Sequence, residues 1–122
     1  MKIALHDRIK VWVDGAPHEI CVIIGSDEPI IIKNDYVTNT TGEYHALKTA
    51  LESIKTYEKY VIYTDSQVVA FQMRGLYKIN HEHLLLLKTE CENIIEDRGL
   101  DIVIEWVPRE QNLAGRILQR KH

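Results

Sequence analysis

Tyr60-Val61-Ile62-Tyr63-Thr64-Asp65-Ser66 is a short β-branched and aromatic run that stops on a carboxylate. The fold turns on this run, because it reads as a strand that follows a change of period. From Thr41 to about Lys55, the apolar residues Tyr44, Leu47, Ala50, Leu51 and Ile54 recur at steps of three and four, which is helical. Thr40 or Thr41 supplies the N-cap hydroxyl, and Glu43 falls in the first turn. Earlier still, the pattern is that of strands. Ile9 to Val13 alternates and stops at the turn sequence Asp14-Gly15-Ala16-Pro17. Glu19 to Gly25 is almost wholly apolar and belongs in the sheet centre; Ser26 to Pro29 is the next turn, and Ile30 to Val37 the third strand. Three strands with two short connections make an antiparallel meander.

Beyond Asp65, Ser66 to Met73 reads as a short helix closed by Gly75, and Asn80 to about Asp97 as a longer one ended by Gly99. Asp101 to Val107 alternates as a last strand, and Leu113 to Arg120 is a terminal helix. The expected fold is a single α/β domain over residues 1–122. Its sheet is mixed and five-stranded, with the first three strands antiparallel and the first, fourth and fifth parallel, and helices flank it. No linker, repeat or low-complexity segment interrupts the chain.

The 122 residues are 45% hydrophobic and 27% charged, which suits a folded domain rather than a disordered chain. Fifteen Lys and Arg against 18 Asp and Glu leave a formal charge of −3, so the chain is no simple polyanion-coating protein. A nuclease with a carboxylate cage need not be basic, because bound divalent ions restore positive charge locally. The apolar runs Ile30–Ile32 and Leu84–Leu87 are too short to cross a bilayer, and the N-terminus has no signal-peptide core. Cys21 and Cys91 lie in apolar settings without a CxxC partner. The expectation is therefore two reduced core cysteines in a cytoplasmic protein.

Asp14 and Asp65 each end a strand. If those strands are parallel neighbours, both carboxylates leave the same edge of the sheet, where open α/β sheets build sites. Glu43, early in the intervening helix, can point back at that edge. Three converging acids repel one another, and divalent cations with a taste for hard oxygen ligands, Mg²⁺ or Mn²⁺, relieve the repulsion. Singly, each acid also has an ordinary use, as turn former, first-turn acid or cap. All three in this element order are hard to explain by capping alone.

The chain resembles a type 1 ribonuclease H, in the compact form without the basic handle helix. The resemblance rests on Val11-Trp12-Val13-Asp14-Gly15, Thr38-Asn39-Thr40-Thr41-Gly42-Glu43-Tyr44-His45-Ala46-Leu47, Ile62-Tyr63-Thr64-Asp65-Ser66-Gln67-Val68-Val69 and Trp106-Val107-Pro108-Arg109-Glu110-Gln111-Asn112. It implies a ribonuclease H-like fold and a metal-dependent endonuclease that cuts the RNA strand of RNA/DNA hybrids. Asp14, Glu43 and Asp65 match the family's metal ligands, which would hold two Mg²⁺ or Mn²⁺ ions together with the scissile phosphate. Gly15, Asn39, Thr40 and Gln67 match positions that touch the hybrid's minor groove, where short polar groups read ribose 2′-hydroxyls. Asn112 of the last motif joins that substrate-binding set. Arg109 stands where relatives carry a His or Arg linked to product release. An arginine cannot shuttle protons at neutral pH, so a phosphate contact is expected of it. Ser66 is expected to be a helix cap.

The pattern is broken in two places. A fourth acid usually follows four residues after the Asn of the last motif, and here that position is Arg116. Metal-demanding activity, substitution by Glu110, or hybrid binding without cleavage would each accommodate the loss; the first is expected, with Arg116 beside the phosphate path. The first hairpin is also short, so discrimination against other duplexes should weaken. Lys78 is a candidate contact to the DNA strand's phosphates. A domain that binds hybrid or duplex without cutting, or a nuclease of the same fold acting on another nucleic acid, are the alternatives. The RNA/DNA hybrid is the expected partner, with no membrane, no obligatory protein partner and a monomeric state. Trp12, Trp106 and the Leu84–Leu87 run are expected in the core. His81 and His83 diverge too far on a helix to bind a metal together.

Overall fold

The computed structural model describes residues 5–120, and for Arg120 the backbone only. Its sheet has five strands: β1 (Ile9–Gly15), β2 (Glu19–Ile24), β3 (Ile30–Lys33), β4 (Lys59–Thr64) and β5 (Asp101–Trp106). The helices are α1 (Asn39–Ser53), α2 (Gln67–Met73), α3 (Glu82–Arg98) and α4 (Leu113–Arg120), with 3₁₀ turns at Leu5–Asp7 and Arg109–Gln111. The strand order is β3-β2-β1-β4-β5. β1 pairs antiparallel with β2 and β2 with β3, whereas β1, β4 and β5 run parallel. This is the expected mixed sheet, with β1 rather than β2 at its centre.

Each face of the sheet has its own core. Val11, Val13, Ile20, Val22 and Ile62 pack against Tyr44, Leu47 and Leu51 of α1, with Leu87 and Cys91 of α3 behind. On the opposite face, Cys21 and Ile23 meet Ala114 and Leu118 of α4, and Trp12 packs against them half-buried. Both cysteines are buried and form no disulfide. The last carbonyls at the C-terminus of α1 have no partner within the helix. Arg98 of α3 donates to two of them, Leu51 O and Ile54 O, and so ties the two helices together.

Several elements differ from their expected limits, each for a local reason. β3 ends at Lys33 instead of continuing to Val37. Asn34 and Asp35 accept side-chain hydrogen bonds from the amides of Asp35 and Val37, at 2.8 and 3.0 Å, and Val37 turns to φ 71°. The Asx turn at Asp35 and the local bond to Asn34 compete successfully with the ladder. α1 starts at Asn39, because the Thr38 hydroxyl, not that of Thr40 or Thr41, accepts the capping bond from Thr41 N. Glu43 is therefore in the second turn of α1. Asp14 and Gly15 belong to β1, opposite Cys21 and Ile20, and the turn is closed by Ala16 N donating to Glu19 O. Ser66 caps α2 by accepting from Val69 N, as expected. Gly99 ends α3 at φ 61°, also as expected.

Two expectations about the core are corrected. Trp106 is 36% exposed, because it is the last residue of an edge strand. In the Leu84–Leu87 run only Leu87 is buried, while Leu85 and Leu86 are exposed. Four consecutive residues sweep most of a helix's circumference, so one packing face cannot take them all. Among the described residues no helix is long and apolar enough to cross a membrane.

Candidate metal centre

The parallel register Val11↔Ile62 and Trp12↔Tyr63 carries β1 and β4 to the same edge, so Asp14 and Asp65 emerge side by side. Glu43 reaches them from α1 through an unusually close approach of backbone. A Cβ on Gly15 would overlap the Gly42 carbonyl and the Glu43 amide, and one on Gly42 would overlap Ala16 O. Only two glycines allow the second turn of α1 to sit directly on the end of β1. One oxygen from each of Asp14, Glu43 and Asp65 lies within 4.8 Å of the others.

The backbone beneath each acid is anchored. The Asn112 amide donates to Val13 O at 2.9 Å, and its carbonyl accepts from Ala114 N at 3.2 Å. The Trp106 indole donates to Asp65 O at 3.1 Å, and Val107 N donates to Thr64 O at 2.9 Å. The Thr64 hydroxyl accepts from Ser66 N at 3.1 Å, which shapes the exit from β4 into α2. Asn112 thus spends its side chain on the protein and has no exposed surface. Asn112, expected in the substrate-contacting set, is thus placed where it ties β1 to the start of α4.

The electrostatics are those of an unfinished cage. Burial, helped by neighbouring Asp65, pushes the Asp14 carboxyl up to about 7. Burial also takes Glu43 to about 7, with Asp14 and Asp65 adding to the rise and the Ser66 hydroxyl opposing it. Asp65 is raised by burial, and the Arg109 guanidinium and Asn112 amide hold it back. Arg109 is, among the described residues, the cation that lowers all three. Among the described residues no ion pair closes on these acids, and Asp65 Oδ2 is buried without a hydrogen-bond partner. A buried carboxylate oxygen left alone is costly. Three hard oxygen donors converging on a point, one of them orphaned, fit a divalent cation of the Mg²⁺ or Mn²⁺ type.

A cleft of about 320 Å³ opens at the cluster, lined by Asp14, Gly15, Ala16, Asn39, Glu43, Arg109, Leu118 and Gln119. It gathers Gly15, Asn39 and Arg109 of the expected site around the acids. Thr40 is half-buried in the first turn of α1, and Gln67 is exposed at the start of α2. Lys78, in the loop between α2 and α3, and Arg116 are exposed and do not line the cleft. Glu110 is likewise exposed and outside the acid cluster. The residue of α4 that faces the acids is Gly115. A Cβ there would stand 3.4 Å from Asp65 Oδ2 and 3.5 Å from Asp14 Oδ2. Gly42, Gly115, Leu118 and Gln119 went unnoticed in the sequence. The signal for the last three was their spacing on one face of α4.

The reverse transcriptase-like family model matches residues 29–122. Among solved structures, the chain superposes with TM-score 0.79 on LC11-RNase H1, isolated from compost by a metagenomic approach, in complex with RNA/DNA hybrid. The two are 24% identical over 87% of this chain and 89% of that one. RNase H1 from the halophilic archaeon Halobacterium salinarum NRC-1 gives TM-score 0.79 and 24% identity over 91% and 93%. The N-terminal RNase H domain of a Mycobacterium tuberculosis protein gives 0.72 and 23% over 93% and 94%. These likenesses place the fold as ribonuclease H-like.

Proposed function

This chain belongs to the reverse transcriptase-like family, and on that premise we propose that it is a metal-dependent endonuclease hydrolysing the RNA strand of RNA/DNA hybrids. The observation that carries the reading is the convergence of Asp14, Glu43 and Asp65 at the edge of two parallel strands, with Asp65 Oδ2 buried and unpartnered. The LC11 enzyme with the same fold was crystallised on such a hybrid, which supports the choice of substrate.

In this reading Asp14, Glu43 and Asp65 hold the metal. Two Mg²⁺ or Mn²⁺ ions, when bound with substrate, supply an activated water and charge stabilisation at the leaving oxygen. The chain's own residues supply position and field. Asn112 and Trp106 hold the two strand ends still, so the acids meet the phosphate in one geometry. Arg109 offers bidentate donors to a phosphate at the mouth of the cleft. Gly15 and Asn39 form the cleft wall where a ribose would lie, with Thr40 and Gln67 flanking it, and they suit 2′-hydroxyl recognition. Products carry 5′-phosphate and 3′-hydroxyl ends.

A second reading has its own observation. α4 brings no acid to the cluster, since Gly115 faces it and Arg116 is exposed. A hybrid-binding domain that cuts poorly or not at all would look the same. A labelled hybrid, incubated with the protein in Mg²⁺ or Mn²⁺ beside duplex DNA and a junction substrate, separates the readings. RNA-strand products from the hybrid alone are expected, with Mn²⁺ the better metal. Retention of hybrid without products in either metal selects the binding domain. Cutting of the junction or duplex DNA selects another nuclease of this fold.

A further inference from the structure

The two edges of the sheet are treated differently. β3 has four residues, follows Pro29 and ends at Lys33, which are ordinary devices that discourage strand addition. β5 has six residues, contains neither proline nor lysine, and is paired only with β4 among the described residues. Beside its outer edge runs a cleft of about 510 Å³, larger than the one at the acids. Its floor is apolar, made by Met73 of α2, Ile95 of α3, and Ile102 and Ile104 of β5. Its rim is acidic, with Glu92 and Glu96 on α3 and Glu105 on β5 against Arg74 alone.

We propose that the β5 edge is a docking site for a partner protein that adds an extended segment alternating apolar and basic residues. The alternation follows from the pleat. Ile102 and Ile104 point to the helix-covered face, so an added strand places every second side chain over them and against Ile95 and Met73. Its other side chains fall beside Asp101, Val103 and Glu105 on the opposite face, and the α3 acids overhang the entrance. Charge selects the occupant. Asp101 is already paired with Arg8 at 2.8 Å, and among the described residues lining the cleft Glu92, Glu96 and Glu105 face a single cation, Arg74. A second copy joining edge to edge would bring the same excess of acids against itself, which is unfavourable. A lysine- or arginine-bearing strand meets the opposite field. The surface is separate from the acid cluster and rests on no assumption about cleavage.

The test uses the whole chain and short capped peptides alternating valine with lysine, valine with glutamate, and valine with lysine interrupted by proline. Saturable binding of the first alone is expected, with amide shifts and slowed hydrogen exchange mapped to Asp101–Trp106. Glu105→Lys should weaken that peptide about tenfold, the change expected for one lost charge contact of ordinary strength. The same variant should leave hybrid cleavage unchanged. Shifts centred on Asp14 and Gly15 instead of β5 would overturn the proposal, since the peptide would then be reading the metal cage. So would equal binding of the glutamate peptide, or concentration-dependent self-association that protects β5 without any peptide.

Discussion

α1 and α4 approach the same pair of acids from opposite faces of the sheet, and they bring different things. α1 sits on the end of β1 through the Gly15–Gly42 contact and delivers Glu43. α4 packs on Cys21 and Ile23 and delivers Gly115, which adds no charge and leaves ordinary van der Waals room. One half of this site therefore tolerates no added atom, and the other would accept a methyl group in ordinary contact. The α1 side adds a third carboxylate to the two strand-end acids, and the α4 side adds none.

The largest effect should come from the acids themselves. Asp14→Asn or Asp65→Asn is expected to lower hybrid cleavage on the order of a thousandfold, as loss of a principal electrostatic contact does. The metal-free fold should hold or gain stability in urea, because one repulsive buried charge is gone. Cutting at the parent rate would show that the α1 side is not the reactive side.

The next largest effect contrasts the two glycine contacts. Gly15→Ala puts a methyl into the Gly42 backbone, and a loss of about 3 kcal/mol or more in urea unfolding is expected. Gly115→Ala meets only side-chain atoms at 3.4 Å or beyond and gains helix propensity, so a change within about 1 kcal/mol is expected. Equal costs at the two sites would erase the distinction drawn between the helices.

A third effect is in pH. Asp14 and Glu43 are raised from 3.8 and 4.5 to about 7 in the folded protein, so the folded state binds protons more tightly than the unfolded chain. Stability of the metal-free protein should therefore fall as pH rises between about 4 and 7, and level off above that. Unfolding midpoints across this range should show the decline, with Mg²⁺ restoring stability at the alkaline end. A curve that rises with pH and ignores Mg²⁺ would contradict a cage of uncompensated acids.

The smallest effect tests the open side directly. Arg116→Asp should lower the Mg²⁺ concentration for half-maximal cleavage by about tenfold, the scale of adjusting a ligand environment. No change would mean that position 116 points too far from the cluster for a carboxylate to help, as its present exposure hints for the arginine.

The strand-to-helix changes of period were legible in the chain, because apolar spacing is a local property that burial enforces. α4 begins where that spacing places it, and Gly99 closes α3 as a glycine in the left-handed region should. Limits set by side-chain hydrogen bonds were less legible. The sequence pointed to Thr40 or Thr41 as the cap, and the choice of Thr38 is made where the chain arrives from β3. The roles of Asn112 and Trp106 were hidden for a similar reason. Asn112 donates across 99 residues and Trp106 across 41, so nothing adjacent to either announces the partner.

The amino-acid order alone determined the five strands and four helices, and it named the three acids, because both follow from residue type and short-range spacing. It also marked Arg116 as a break in the pattern. Only the tertiary structure decided that Gly42 permits Glu43 to reach Asp14, that Gly115 rather than Arg116 faces the acids, and that β5 lies outermost among the described strands beside an acid-rimmed cleft. Those outcomes depend on how closely two backbones can approach and on which strand lies outermost, and such distances exist only once distant segments have packed.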